Sequence, residues 1–147
     1  MQLRPWTVYC DGSAMPNPGR MGAGAVITEP DGTRHTLSLA SHATGCNNEA
    51  ELRALTLALE ELKARGATAV LAYTDNSILV EQLVEPGARP IARMAGLFED
   101  ARALLGSFEE ASLRWVPRHR NQEADALARA SLGFAPKAPA KATKKRR

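Results

Sequence analysis

The spacing of apolar residues changes period along this chain, and each change marks an element. Residues 6–10, WTVYC, read as a short strand. The stretch 11–22, DGSAMPNPGRMG, is rich in Gly, Pro and Asn and reads as turn chemistry. Residues 23–28 read as a second strand, Pro30-Asp31-Gly32 as a turn, and 33–40, with alternating polarity, as a third strand. Three strands joined by short turns predict an antiparallel meander. From Asn48 to Arg65 the period becomes helical, with Leu52, Leu55, Leu59 and Leu62 on one face. Gly66 stands just past its end. Residues 69–74, AVLAYT, form an apolar run suited to a strand buried on both faces. Asn76–Glu85 reads as a short helix, Ile91–Leu105 as another, 112–116 as a strand and Gln122–Leu132 as a last helix. Pro86-Gly87, Gly106 and Gly133 stop the three helices in turn. The order βββαβααβα predicts one α/β domain over residues 1–135, a mixed sheet flanked by helices.

Composition narrows the class. The 147 residues suit one domain. With 44% hydrophobic and 24% charged residues, a wholly disordered or fibrous chain is excluded. No window approaches ~18 consecutive apolar residues, so no membrane span is expected. The opening MQLRPWTVYCDG has no secretory pattern. Cys10 and Cys46 lack metal-type spacing, which leads us to expect a reduced, cytoplasmic setting. No dimerisation stripe is evident, and a monomer is expected.

The net charge of +3 hides an asymmetry. Residues 136–147, PKAPAKATKKRR, hold six basic residues and no acid. Of the 19 basic residues 13 remain for the body, against 16 acidic ones, so the body carries −3. A Pro/Ala/Lys tail cannot bury enough apolar surface to offset its ordering entropy, so disorder is expected there. Its charge suits a non-specific tether to phosphate backbones; the plainer reading is a solubilising tail.

Four carboxylates stand in unusual company. Asp11 and Asp75 each close an apolar strand, where ligand sites gather in α/β sheets. Glu51 shares a helix face with Leu55, Ala58 and Leu62, and Asp125 shares one with Ala128 and Leu132. A carboxylate on a buried stripe is costly unless compensated, and a hard divalent cation, Mg2+ or Mn2+, is the simplest compensation for oxygen-only ligands. Each residue taken singly has a bland reading. Asp11-Gly12 makes a turn, Asp75 caps a helix, Glu51 and Asp125 are first-turn acids, and His119 is a surface histidine.

Taken together, these blocks resemble type 1 ribonuclease H. The first is Val8-Tyr9-Cys10-Asp11-Gly12-Ser13-Ala14, followed by Pro16-Asn17-Pro18-Gly19 and Gly22-Ala23-Gly24. The second is Asn47-Asn48-Glu49-Ala50-Glu51-Leu52, and the third Thr74-Asp75-Asn76-Ser77. The fourth runs from Trp115 through His119 to Asp125 and Ala128. Any one is weakly specific; four in order over residues 6–128 are strong. The family's glutamate lies three residues after the second Asn, which selects Glu51 over Glu49, as the helical face does independently.

The resemblance implies a five-stranded mixed sheet, strands 1–3 antiparallel and strands 4 and 5 parallel. It implies two-metal cleavage of the RNA strand of RNA–DNA hybrids, leaving 5′-phosphate and 3′-hydroxyl ends. Asp11 would bridge both ions, Asp125 would help hold the ion at the attacking water, and Glu51 and Asp75 the ion at the leaving oxygen. His119 would assist proton transfer or product release, a task suited to a group that titrates near neutrality. Gly12, Ser13, Asn17, Asn47 and Asn48 would bind substrate at the 2′-hydroxyl, which distinguishes RNA from DNA. Double-stranded RNA is a second duplex to consider.

Three departures bear on substrate affinity. The basic, Trp-containing insertion of many members is replaced by the short EPGARPIAR, residues 85–93. Ser77 replaces a longer polar residue, and Cys46 stands where a Thr often helps hold a DNA phosphate. The basic tail is expected to supply the missing attraction. Two other readings are a non-catalytic module binding hybrid or double-stranded RNA, and a same-fold nuclease acting on another duplex. Intact carboxylates argue against the module, since a pure binder gains nothing from negative charge where phosphates dock.

Overall fold

The computed structural model describes residues 4–135; the basic tail expected over 136–147 lies outside them. Five strands form one sheet: β1 (Trp6–Met15), β2 (Gly19–Thr28), β3 (Arg34–Gly45), β4 (Ala69–Thr74) and β5 (Glu110–Trp115). Their order is β3-β2-β1-β4-β5. β1 pairs antiparallel with β2, and β2 with β3; β4 runs parallel to β1, and β5 to β4. The helices are α1 (Asn47–Ala64), α2 (Ser77–Val84), α3 (Ala95–Gly106) and α4 (Gln122–Ser131), with single 3-10 turns at Ala92–Met94 and Arg118–Arg120.

α1 packs the leucine face read from the sequence onto the sheet. Leu52, Leu55, Leu59 and Leu62 are buried with Val8, Cys10, Ile27, Val70 and Ala72 of the strands and with Phe98 of α3. α4 covers the other side, against β1, β2 and β3. Alternation along β1 therefore splits the strand, Val8 and Cys10 facing the α1 core.

The structure corrects the turn reading of residues 11–22. β1 runs on through Asp11–Met15, and β2 begins at Gly19, so only Pro16–Pro18 turns. Both Met15–Pro16 and Asn17–Pro18 are cis. Glycines misled the reading because here they permit close helix contact rather than a turn. A Cβ on Gly12 would stand 2.2 Å from the Ala50 carbonyl oxygen of α1, and one on Gly24 2.3 Å from the Ala124 oxygen of α4. The sheet thus admits both helices because it is bare at these points. β3 also extends past the expected end to Gly45, pairing there with Gly19. The expected helix from Ile91 starts as a 3-10 turn before α3, and β5 begins two residues early.

Candidate active site

β1 and β4 deliver the first two carboxylates side by side. Tyr9 pairs with Tyr73 in the parallel register, and Asp11 and Asp75 each follow two residues later. α1 brings the third, because Gly12 lets its backbone at Ala50–Glu51 approach β1. One oxygen from each of Asp11, Glu51 and Asp75 lies within 4.8 Å of the others. Asp125, in the first turn of α4, stands outside this trio but against Asp11, whose protonation it favours.

The close approach of the trio shapes its protonation behaviour. Asp11 is 7% exposed. Burial, then the neighbouring Asp75 and Glu51 charges, push its pKa up to about 10. Burial pushes Glu51 up to about 7, partly opposed by hydrogen bonds from Asp11 and Asn76. Such a cluster of hard oxygen ligands, repelling one another in a half-buried site, fits a divalent cation.

The sequence reading passed over two asparagines here. Asn76 is the N-cap of α2, its Oδ1 accepting from the Ile78 and Leu79 N–H groups. Its Nδ2 donates to Glu51 Oε2 at 2.9 Å and to Asn48 Oδ1 at 2.8 Å. Asp75 is therefore not the cap. Asn121 is 1% exposed and donates from Nδ2 to both Asp75 Oδ2 and the Cys10 carbonyl, each at 3.0 Å. An Asn directly after Thr-Asp at a strand end, and another four residues before Asp125, were the signals available.

The expected substrate residues fall in two places. Asn17, Asn47 and Asn48 line a groove of about 410 Å³ with Glu51, Asp75 and Asn76. Asn47 accepts from the Ala14 N–H through Oδ1, and its own N–H donates to Asn17 Oδ1. Neither Asn47 nor Asn48 caps α1; the cap position is Cys46, with no side-chain bond. Gly12 and Ser13 lie within β1 outside the groove lining, and the Gly12 N–H donates to Asp11 Oδ1. His119 is exposed on the 3-10 turn before α4. Glu49 pairs with Arg53 at 2.8 Å, and the trio includes Glu51, not Glu49.

Two arginines also line the groove: Arg93, which donates to Cys46 Sγ, and Arg118. Neither was singled out from the sequence: Arg93 stands apart from other basic residues, and Arg118 opens the Arg118-His119-Arg120 turn, where only His119 was read for chemistry. Trp115 is half-exposed beside the groove and donates from Nε1 to the Asp75 carbonyl at 3.2 Å.

Comparison with known proteins agrees with this geometry. Residues 9–131 match the family described as "Reverse transcriptase-like". The bifunctional protein Rv2228c of Mycobacterium tuberculosis is 33% identical over 130 residues, 87% of this chain but 35% of that protein. The chain thus spans about a third of the length of that curated relative. The crystal structure of RNase H1 from the halophilic archaeon Halobacterium salinarum superposes with a TM-score of 0.82 at 30% identity, covering 88% of this chain and 98% of that one. LC11-RNase H1, solved in complex with an RNA/DNA hybrid, superposes with a TM-score of 0.74 at 28% identity, covering 87% and 96%.

Proposed function

Because the chain belongs to the type 1 ribonuclease H family, we propose that it is an endonuclease hydrolysing the RNA strand of RNA–DNA hybrids. The observation that carries this reading is the convergence of Asp11, Glu51 and Asp75 from three separate elements, with Asp125 beside them. A structural protein has no use for that arrangement, because each carboxylate raises the cost of ionising the others.

Mg2+ or Mn2+, two ions during turnover, are the proposed cofactors, held by Asp11, Glu51, Asp75 and Asp125. Bound there, they would supply Lewis-acid stabilisation of the attacked phosphate and acidification of a water. The chain's own residues do the rest. Asn17, Asn47 and Asn48 line the groove where the RNA strand would lie; their amide oxygens are engaged within the protein, which leaves their side-chain N–H groups to donate to a 2′-hydroxyl. Gly12 and Ser13 would act through their backbone at the same strand. Arg93 and Arg118 line the groove with the carboxylates and attract phosphates that the acids alone would repel. His119, exposed on its turn, would exchange protons with solvent as product leaves.

Among the described residues no helix is long and apolar enough to cross a membrane. Cys10 and Cys46 are free thiols, which supports the reducing, cytoplasmic setting proposed for the enzyme.

The test is cleavage of labelled RNA–DNA hybrid, RNA duplex and DNA duplex, each with Mg2+, Mn2+ or a chelator. Metal-dependent cutting of only the RNA strand of the hybrid is expected. Binding without cutting under every metal condition would overturn the reading in favour of a non-catalytic module. Equal cutting of RNA duplex would overturn the hybrid specificity.

A further inference from the structure

Asn121 has three connections that no part of the proposed chemistry uses. Its Nδ2 donates to the carbonyl of Cys10, the residue before Asp11 on β1. The same Nδ2 donates to Asp75 Oδ2 at the end of β4. Its backbone carbonyl accepts from the Asp125 N–H at 3.1 Å, in the first turn of α4. One residue, 1% exposed, is thereby bonded to the elements that carry three of the four carboxylates, through its side chain to β1 and Asp75 and through its backbone to α4. Its own N–H also donates to the Arg118 carbonyl at 2.9 Å, closing the turn that carries His119.

We infer that Asn121 is a positioning residue that holds the Asp75 carboxylate in its metal-accepting orientation. A carboxylate at a strand end rotates freely unless something holds one oxygen. Asn121 holds Oδ2, and Oδ1 has no N–H donor among the described residues. An amide suits this duty better than a lysine or arginine. It supplies two donors for two acceptors and adds no positive charge that would compete with the ion. Its own burial matters for the same reason, because a donor packed in place and tied to the Cys10 carbonyl fixes an orientation that an exposed one only samples, even though the Asp75 end of the bond is half-buried. The Asn121 Oδ1 is buried without a partner among the described residues, so this amide is not retained to satisfy its own oxygen. Asn76 plays the matching part for Glu51, taking Oε2 while its own Oδ1 caps α2.

This inference rests on the metal-site reading above, and the experiment separates the two. Mg2+ is titrated into the 147-residue chain, without nucleic acid, and followed by amide NMR for wild type, Asn121→Leu, Asn121→Ser and Asp75→Asn. Leu keeps the volume and removes both donors; Ser keeps a polar group that is too short to reach both acceptors. In wild type, the two Asn121 side-chain N–H signals should exchange slowly with solvent and shift as Mg2+ binds. In both Asn121 variants the Mg2+ dissociation constant should rise about tenfold or more. The Mg2+ concentration needed for half-maximal cleavage should rise in parallel, while the KM for hybrid at saturating Mg2+ stays within about twofold.

An unchanged Mg2+ dissociation constant in either folded variant would overturn the positioning role and leave the metal site standing. So would rapid solvent exchange of the wild-type Asn121 amide, a measurement that needs no variant to fold. If wild type itself shows no saturable Mg2+ response at Asp11, Glu51 or Asp75, the metal-site reading fails first and the positioning role fails with it.

Discussion

Tyr9 and Tyr73 stand opposite each other in the parallel β1–β4 pair, their rings stacked with centroids 4.6 Å apart and planes 19° apart. That pairing sets the level of the two strand ends. Asp11 and Asp75 follow their tyrosines by the same two residues, so both carboxylates arrive at one height on neighbouring strands. A slip of one residue would turn one of them to the opposite face. The stacked pair thus anchors the register on which the acidic site depends.

Replacing the carboxylates should separate chemistry from folding. Asp75→Asn is expected to abolish cleavage while keeping the fold and hybrid binding. Glu51→Gln should cost ~10²–10³-fold or more in kcat, the range lost with one preorganised electrostatic contact. Glu49→Gln loses only the ion pair with Arg53 and should leave kcat within about twofold. Steady-state kinetics on hybrid checks all three, and a severe loss in Glu49→Gln would reverse the choice between the two glutamates.

Stability without metal should fall as pH rises. Asp11 and Glu51 have folded pKa values raised to about 10 and about 7, well above ordinary carboxylates. The folded chain therefore holds protons that the unfolded chain has released, and this contribution is complete only at acid pH. It is lost as pH climbs through the two folded values. In chelator, Tm should be higher near about pH 5 than near about pH 8, and Mg2+ should raise Tm more at the higher pH. A thermal melt series with and without Mg2+ reads this directly; a Tm that rises with pH in chelator would contradict it.

Gly24→Ala should damage both stability and activity. The new methyl would stand 2.3 Å from the Ala124 oxygen and 2.5 Å from the Ala128 nitrogen, all helix backbone that cannot rotate away. α4 must shift, taking Asp125 with it. A loss of ~1–3 kcal/mol in denaturant unfolding is expected, with reduced kcat. Gly106→Ala meets nothing within 4 Å and serves as the control.

Arg93→Ala and Arg118→Ala should each raise the KM for hybrid. If each arginine touches one phosphate, each variant should lower the slope of log affinity against log salt by about one. Fluorescence anisotropy across a salt series, in Ca2+ or chelator to prevent cutting, would measure it.

Deleting residues 136–147 removes six positive charges. If the tail tethers the hybrid, affinity should fall and its salt dependence should flatten, with kcat at saturating substrate unchanged. Equal affinity and equal salt slope would leave the tail a solubilising segment.

By itself the sequence determined the element order, the leucine face of α1, the apolar β4 and the four carboxylates. All of these depend on local period and residue type, which neighbours along the chain express. It misjudged residues 11–22, because glycines in β1 and β2 look like turn residues until the helices they admit are in place. Only the tertiary structure decided that Asp11, Glu51 and Asp75 meet, that Asp125 stands beside rather than within the trio, and that Arg93 and Arg118 line the groove. It also decided the hydrogen-bond partners of Asn76 and Asn121. An asparagine has no hydrophobic period to betray it, and Asn121 acquires its partners 46 and 111 residues away, where only the folded chain brings them.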